Sequence, residues 1–418
     1  MSVRLKKNKL NFYFLILFIS TNMLFSAENS VSINLIQKNS KSNFWWIEKN
    51  NYGINPYNNY LYTTFNRNHN KVSLKVNLLL SSTESQWGES FLNFNVFNNS
   101  HIKLGTYYRD FSTYLNDELS SGHMLISNNA EPIPKIGFIS KNKVNNRNHI
   151  SFSYGISHGF FQKNKNYLKA PFLHEKFVYL ELNKNDTEFG IGFIHEAMWA
   201  GETSGNGEST GSTFKDFLKV IIAEDGPKNL GDKHANALGN HLGIWDFYMI
   251  KSFNDKKIKI YYQHFFEDTS GLRFANRFDG LWGIEFIYPK KTHLLIEYLQ
   301  TSNQDLSSDY LRDGYYNHST YIEGWSYKSQ VIGNPFINNE AIVPLDVIHL
   351  GIDSQIHQKM KLKLKLSRKV NEFDKIKYLL EVSNYKDEKG IFNHINFFIA
   401  NNHSNKHILG FKLTYFLK

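Results

Sequence analysis

Gly207-Glu208-Ser209-Thr210-Gly211 fits G-x-S-x-G, the turn that exposes a nucleophilic serine in hydrolases. That chemistry needs a strand before the serine, a helix behind it and a base to take its proton. Here the surrounding run, GETSGNGESTGS, has the composition of a flexible loop. His174-Glu175 and His195-Glu196 each supply half of a zinc-protease motif. H-E-x-x-H would also need histidine at 178 and 199, where the chain has Val178 and Trp199, so neither a metal nor another cofactor is expected. His234 and His241 are read as loop or lumen polar groups. Asp246, Glu267, Asp268, Asp279, Glu285 and Glu297 form the richest carboxylate set. Two such groups flanking a sugar could cleave it, one as acid and one as base or nucleophile. The alternative is a network in which they pair with Arg273, Arg277 and nearby lysines, because enclosed polar groups need partners. The network is the expectation, and the chain is read as a non-enzyme. Trp199 and Trp245 could stack on a sugar ring, with Asp246, Asp268, Arg273 and Arg277 completing a candidate sugar-binding set.

These residues sit on or between segments that alternate apolar and polar side chains. KIKIYYQHFF (257–266), LWGIEFIY (281–288) and HLLIEYLQ (293–300) each have one greasy face. Side chains alternate across a strand with period two, so each is a strand. Trp282 shares a face with Ile284 and Phe286 and is read as part of an aromatic girdle. QKMKLKLKLSRK places Leu362, Leu364 and Leu366 opposite Lys361, Lys363 and Lys365, a separation that a helix would scramble. A soluble sheet would bury the apolar face. A barrel in a bilayer turns it to lipid and lines its lumen with the polar face. Lys361, Lys363, Lys365, Glu285 and Glu297 are then lumen-facing candidates.

About sixteen to eighteen such strands follow one another, joined by turns too short for crossover helices, so neighbours are antiparallel. Short turns alternate with long polar loops, as in outer-membrane barrels. The stretch 119–138 contains Pro132 and Pro134 and must bend, lie at an edge or enter the lumen. TFKDFLKVIIAEDG repeats Phe214, Phe217, Leu218, Ile221 and Ile222 at helical spacing behind the capping Thr213, which predicts a helix near 213–224.

Residues 1–27 read as a signal peptide. Arg4, Lys6, Lys7 and Lys9 precede an apolar run, and Ser26-Ala27 offers a cleavage site. Residues 28–59 look irregular, and the barrel is expected over 60–418. With no cysteine there can be no disulfide framework or thiolate metal site. Aromatics make up 16% of residues, an excess that suits interfacial girdles. Removing the four basic residues of the leader lowers the formal charge from +10 to about +6 (10 − 4), which favours an acidic glycan or lipid head groups. An exported chain would not meet nucleic acid.

The motifs LSSGHMLISNNAEPIPKI (119–136), APFLHEKFVYLEL (170–182), FIHEAMWAG (193–201), FKDFLKVI (214–221), LGNHLGIWDF (238–247), YYQHFFEDTSGLRF (261–274), DGLWGIEF (279–286) and GWSYKSQVIGNPF (324–336) occur in order. In these the sequence resembles the Wzi-like capsule assembly proteins, in the branch found in Bacteroidetes-type bacteria. The resemblance implies an all-β, transmembrane antiparallel barrel of about 18 strands with one or a few short helices at its periplasmic side. It implies a lectin-like anchor in the bacterial outer membrane that holds capsular or related surface polysaccharide. The expected partners are that polysaccharide, outer-membrane lipid and lipopolysaccharide, with the protein a monomer. An outer-membrane porin or solute channel with a basic lumen is the alternative.

Overall fold

The alternating segments form eighteen antiparallel strands of one closed barrel. In chain order they are β1 (Glu28–Lys38), β2 (Asn59–His69), β3 (Val72–Ser81), β4 (Ser90–Phe97), β5 (Ser100–Tyr107) and β6 (Ile133–Asn145). Next come β7 (Ile150–Phe160), β8 (Phe172–Lys184), β9 (Thr187–Trp199), β10 (Asn240–Phe253), β11 (Lys256–Phe266) and β12 (Gly280–Tyr288). The last six are β13 (Thr292–Gln300), β14 (Asp346–His357), β15 (Met360–Lys369), β16 (Lys377–Tyr385), β17 (His394–Asn401) and β18 (His407–Leu417). Among the described residues two helices occur, the single turn α1 (Trp45–Glu48) and α2 (Phe214–Ile222). The computed structural model describes residues 28–39, 45–54, 59–82, 84–112, 116–145, 149–204, 211–226, 237–267, 274, 276–288, 292–304, 312–370, 376–385, 394–401 and 407–417. The leader 1–27, Ser209, Asp268 and Arg273 lie outside them.

No helix among the described residues is long and apolar enough to cross a membrane; the strands do so instead. Lipid offers no hydrogen bonds, so a spanning sheet must pair every backbone group and leave no edge. Closure is made by β1 and β18, in register from Val31 opposite Leu417 to Lys38 opposite Gly410. This corrects the expectation of an irregular segment over 28–59. Residues 28–38 supply the strand without which both β2 and β18 would present an open edge. Two-residue turns at 70–71, 98–99, 185–186, 254–255 and 358–359 lie at one end, together with the start of β1 and the end of β18. The longest connections, 39–58, 108–132, 200–239, 267–279 and 301–345, all leave from the other. In outer-membrane barrels that end faces the exterior.

The period-two register holds where it was legible. On β15, Lys365 and Ser367 are buried in the barrel, and Lys363 reaches Glu118 of the connection 108–132 at 2.7 Å. Leu362, Leu364 and Leu366 therefore point outward. On β12, Leu281, Gly283 and Glu285 are buried while Trp282 is exposed. Glycine on inward positions makes room for tyrosine from the next strand. A Cβ on Gly283 would sit 2.0 Å from the Tyr261 ring, and one on Gly192 would sit 2.3 Å from Tyr179.

Two long connections, 108–132 and 312–345, fold down into the lumen and pack on each other. The Trp325 indole donates to the Leu125 carbonyl at 2.8 Å, and the Asn129 amide to the Val331 carbonyl at 2.8 Å. The Asn334 amide donates to Gly122 at 2.7 Å, and the Tyr316 hydroxyl donates to the Met124 carbonyl. Met124, Leu125, Ile126, Tyr315, Tyr316 and Trp325 form one apolar core with inward Leu173, Ile194, Leu242, Phe265, Leu295 and Leu299. The barrel thus encloses a packed interior along β8–β14. The expected helix is present, but α2 does not enter this lumen. It lies on the outer wall, with Val220 against Ala197 and Trp199. Because its connection leaves from the long-loop end, the periplasmic helices implied by the resemblance are also not the place of α2.

Inward carboxylates hold the first of these connections in place. Glu297 accepts hydrogen bonds from the Ser120 hydroxyl (2.7 Å), the Ser121 amide (2.6 Å) and the Tyr261 hydroxyl (2.5 Å). Asp246 accepts from the hydroxyls of Ser112 (2.9 Å) and Tyr179 (2.7 Å). His123 bonds Ser112 at 2.8 Å, and burial pushes its imidazole well below the usual range, so it is neutral.

Two outcomes test this arrangement. Leu364→Lys should impair barrel assembly by about 2–4 kcal/mol, the cost of a mid-bilayer cation on the lipid face. Lys363→Leu should still give a heat-modifiable folded band on gels, and the reverse pattern would shift the register by one residue. Glu297→Ala leaves three enclosed donors without their acceptor, at about 1–3 kcal/mol each. It should raise single-channel conductance and expose 116–131 to protease. Wild-type conductance and proteolysis would show that Glu297 does not hold the segment.

Candidate functional site

One part of the lumen that the paired connections leave unfilled is a cleft of about 270 Å³ between β1, β2 and β15–β18. Trp46 of α1, Tyr52, Tyr60, Tyr62 and Phe398 give it aromatic walls. Lys38, Lys363, Lys365 and Lys412 give it positive charge, against the carboxylates Asp117, Glu118 and Glu381. Asn34, Asn50, Asn51 and Asn128 add amides.

Each wall is positioned by identifiable contacts. α1 is held in the lumen by its tryptophans: the Lys365 ammonium lies 4.9 Å from the Trp46 ring, and Lys377 lies 4.5 Å from Trp45. Both indoles pack on Phe336 of the second connection, the Trp45 ring centroid at 4.5 Å and Trp46 at 6.3 Å. The Asn50 amide donates to the Ser121 carbonyl at 2.8 Å and ties the same segment to the first connection. On the barrel wall the Thr414 hydroxyl donates to Asn34 Oδ1 at 2.7 Å across the β1–β18 seam. The Asn396 amide donates to Glu381 at 2.6 Å. Two of the three carboxylates have basic partners, Glu118 with Lys363 and Asp117 with Arg109. The Lys363 ammonium holds the Glu118 carboxyl below its ordinary value. Four lysines against three acids leave the cleft basic. A second lumenal cavity of about 280 Å³, beside β6–β8, has Lys141 against Asp110 and Glu181 and so lacks that bias.

Rings, amides and ammonium groups around one cavity are chemically suited to an acidic saccharide. Ring faces cover the apolar C–H faces of sugars, amides bond hydroxyls, and lysines pair with carboxylate or phosphate. Among the described residues no cluster of three or more histidine or acidic side chains could hold a metal ion.

The residues singled out from sequence are dispersed. Lys363 and Lys365 line the cleft. Lys361 pairs with Asp353 at 2.6 Å nearer the short-turn end. Glu285 pairs with Lys259 at 2.5 Å, and Glu297 and Asp246 hold the lumenal connection. The expected carboxylate network therefore draws on serine and tyrosine hydroxyls and a backbone amide as well as lysine. Trp199 and Trp245 point away from the lumen. Trp199 packs under α2 against Phe217, with ring centroids 5.2 Å apart. Trp245 lies on the outer wall against Phe193 at 4.8 Å, between inward Ile244 and Asp246. Neither stands beside the cleft. Arg277 lies over the Phe278 ring at 5.0 Å, in a connection whose backbone accepts hydrogen bonds from outward Tyr262. Trp46, Tyr52, Tyr60 and Lys412 were not singled out from the sequence. The one available signal was Trp45-Trp46 in a polar segment that precedes the turn-rich run NNYGINPYNN.

Solved structures similar to this chain include proteins of bacterial outer membranes. OccK5 (OpdH) of Pseudomonas aeruginosa is 9% identical, with 94% of this chain and 97% of that one covered and a TM-score of 0.43. The outer membrane channel DcaP of Acinetobacter baumannii is 8% identical over the same shares, with a TM-score of 0.38. No curated protein sequence matches the chain. A family model described as capsule assembly protein Wzi matches residues 118–399. That span exceeds half of the chain and includes most of the first lumenal connection, all of the second and strands β6–β16, so the chain belongs to the family of Wzi capsule assembly proteins and lies in the bacterial outer membrane.

Proposed function

We propose that this capsule assembly protein binds exported surface polysaccharide and retains it on the cell, by contact and without cleaving it. The observation that carries this is the basic, ring-lined cleft, which joins aromatic faces, amides and four lysines in one cavity of the barrel. Its net charge suits an acidic polymer. The packed core along β8–β14 supports binding over free diffusion, because two connections occupy the lumen that a porin would keep open. In this reading Lys363, Lys365 and Lys412 meet acidic groups of the polymer, and Trp46 with Tyr60 covers sugar faces. Trp199 and Trp245 serve the outer wall.

An anchor acts after export. Deleting the gene should leave polymer synthesis and secretion intact while moving polysaccharide from cells to medium. The measurement is the ratio of cell-bound to released polymer. Lys363→Glu with Lys412→Glu should shift that ratio in the same direction while the barrel still runs as a heat-modifiable band. Added salt should mimic the effect at the outer part of the site, since exposed charges are screened within about 10 Å at 0.1 M. An unchanged ratio in the deletion strain would sink the anchor. An unchanged ratio in the double variant alone would move the binding surface away from the cleft. Altered solute uptake with capsule still attached would point to a channel.

A further inference from the structure

Helix α2 has two apolar faces, and the barrel covers only one of them. The helix is well defined at both ends: the Asp216 amide donates to the Thr213 hydroxyl at 3.2 Å, the Thr213 amide donates back to Asp216 at 2.9 Å, and Ala223 closes the last turn in the left-handed region. Phe217 and Val220 meet the barrel, packing on Trp199, His174 and Ala197. The Lys176 ammonium of β8 donates to the Ile221 carbonyl and fixes the carboxy-terminal end. Phe214, Leu218 and Ile222 recur every fourth residue along a different stripe, and they are 74%, 48% and 69% exposed. Residues four apart share one helix face. Lys215 and Lys219 follow directly beside that stripe, Lys215 exposed and Lys219 3.2 Å from Glu224.

The wall beneath α2 changes character at this height. Nearer the short-turn end, the outward residues of β8 and β9 are Leu180, Leu182, Phe189 and Ile191, all exposed as a lipid-facing surface. Toward the long-loop end they become Lys176, His174 and His195, with His241 beside them on β10 and Ala197 and Trp199 above, and α2 meets this region through Phe217 on His174, Val220 on Ala197 and Ile221 on Lys176. His195 and His241 bond each other at 2.8 Å. The helix therefore starts where the aliphatic belt stops. Its open stripe continues the membrane-facing surface of the barrel.

We propose that α2 is an interfacial anchor of the outer leaflet. Phe214, Leu218 and Ile222 enter the upper acyl region, and Lys215 and Lys219 meet the phosphates of an anionic glycolipid. A helix with an apolar stripe flanked by lysine lies in the interface plane in this manner, with its grip set by buried apolar area and by attraction to anionic lipid. The lipid contact is separate from the cleft and stands whether or not the cleft holds polysaccharide.

The chain has no cysteine, so single labels can be placed without background. Full-length protein carrying Leu218→Cys or Lys215→Cys with a nitroxide is reconstituted in phosphatidylcholine vesicles with and without lipid A. Collisions with oxygen report acyl depth, and collisions with a water-soluble nickel chelate report solvent. The label at 218 should be oxygen-accessible and shielded from nickel, and the label at 215 the reverse. Lipid A should raise the oxygen-to-nickel ratio at 218 several-fold. Adding Lys215→Glu and Lys219→Glu to the 218-labelled chain should abolish that rise with barrel folding on gels unchanged. A 218 label as nickel-accessible as one on an exposed turn in both vesicles would overturn the anchor. Equal immersion with and without lipid A, or a rise that survives the charge reversal, would overturn phosphate recognition. A label that becomes immobile only when capsular polysaccharide is added would assign the face to the polymer and overturn the lipid assignment.

Discussion

A strand that enters lipid must have every backbone group paired, and this single constraint generates the architecture. It forces the sheet to close and so makes β1 and β18 neighbours although they lie at opposite ends of the chain. It also sorts the side chains, since outward positions meet hydrocarbon and inward positions need partners of their own. The barrel meets the second requirement with carboxylates that accept from buried hydroxyls and amides. Those donors belong partly to connections that leave the wall and return to it. Pairing in the wall and filling of the lumen are thus two parts of one solution.

Period-two alternation was readable wherever one face was polar. The leucines and lysines of β15 are the clearest case, because only a strand keeps Leu362, Leu364 and Leu366 apart from Lys363 and Lys365. The pattern lost its power where the barrel has an apolar interior. In NHLGIWDF, Leu242 and Ile244 enter the core while Trp245 and Phe247 face outward, so both faces are greasy and alternation cannot say which is inside. Trp245 was read as a sugar platform because it precedes Asp246, and alternation offered nothing to correct that. β1 escaped notice because Leu35 is followed at once by Ile36, and the run then passes into polar residues.

The cleft was less legible than the wall. Lys363 and Lys365 were placed in the lumen by their register alone. Trp46 and Tyr52 sit on a segment with no periodicity, and they reach the cleft only because Lys365, Phe336 and Ser121 hold that segment down. Such contacts join residues about seventy to more than three hundred positions apart, which neither composition nor spacing encodes. The same holds for the core under the long-loop end. Met124, Leu125, Tyr316 and Trp325 look like stray apolar residues in polar stretches until two connections meet around them.

The cleft walls come from both extremities of the chain. Asn34, Ile36 and Lys38 stand on the first strand and Lys412 on the last, and the Asn34–Thr414 hydrogen bond crosses between them. A partly inserted barrel, with its seam still open, has only separated fragments of that surface. The cavity is whole only when the first and last strands are paired. A ligand that bridged the two strands would act as a clasp that resists their parting.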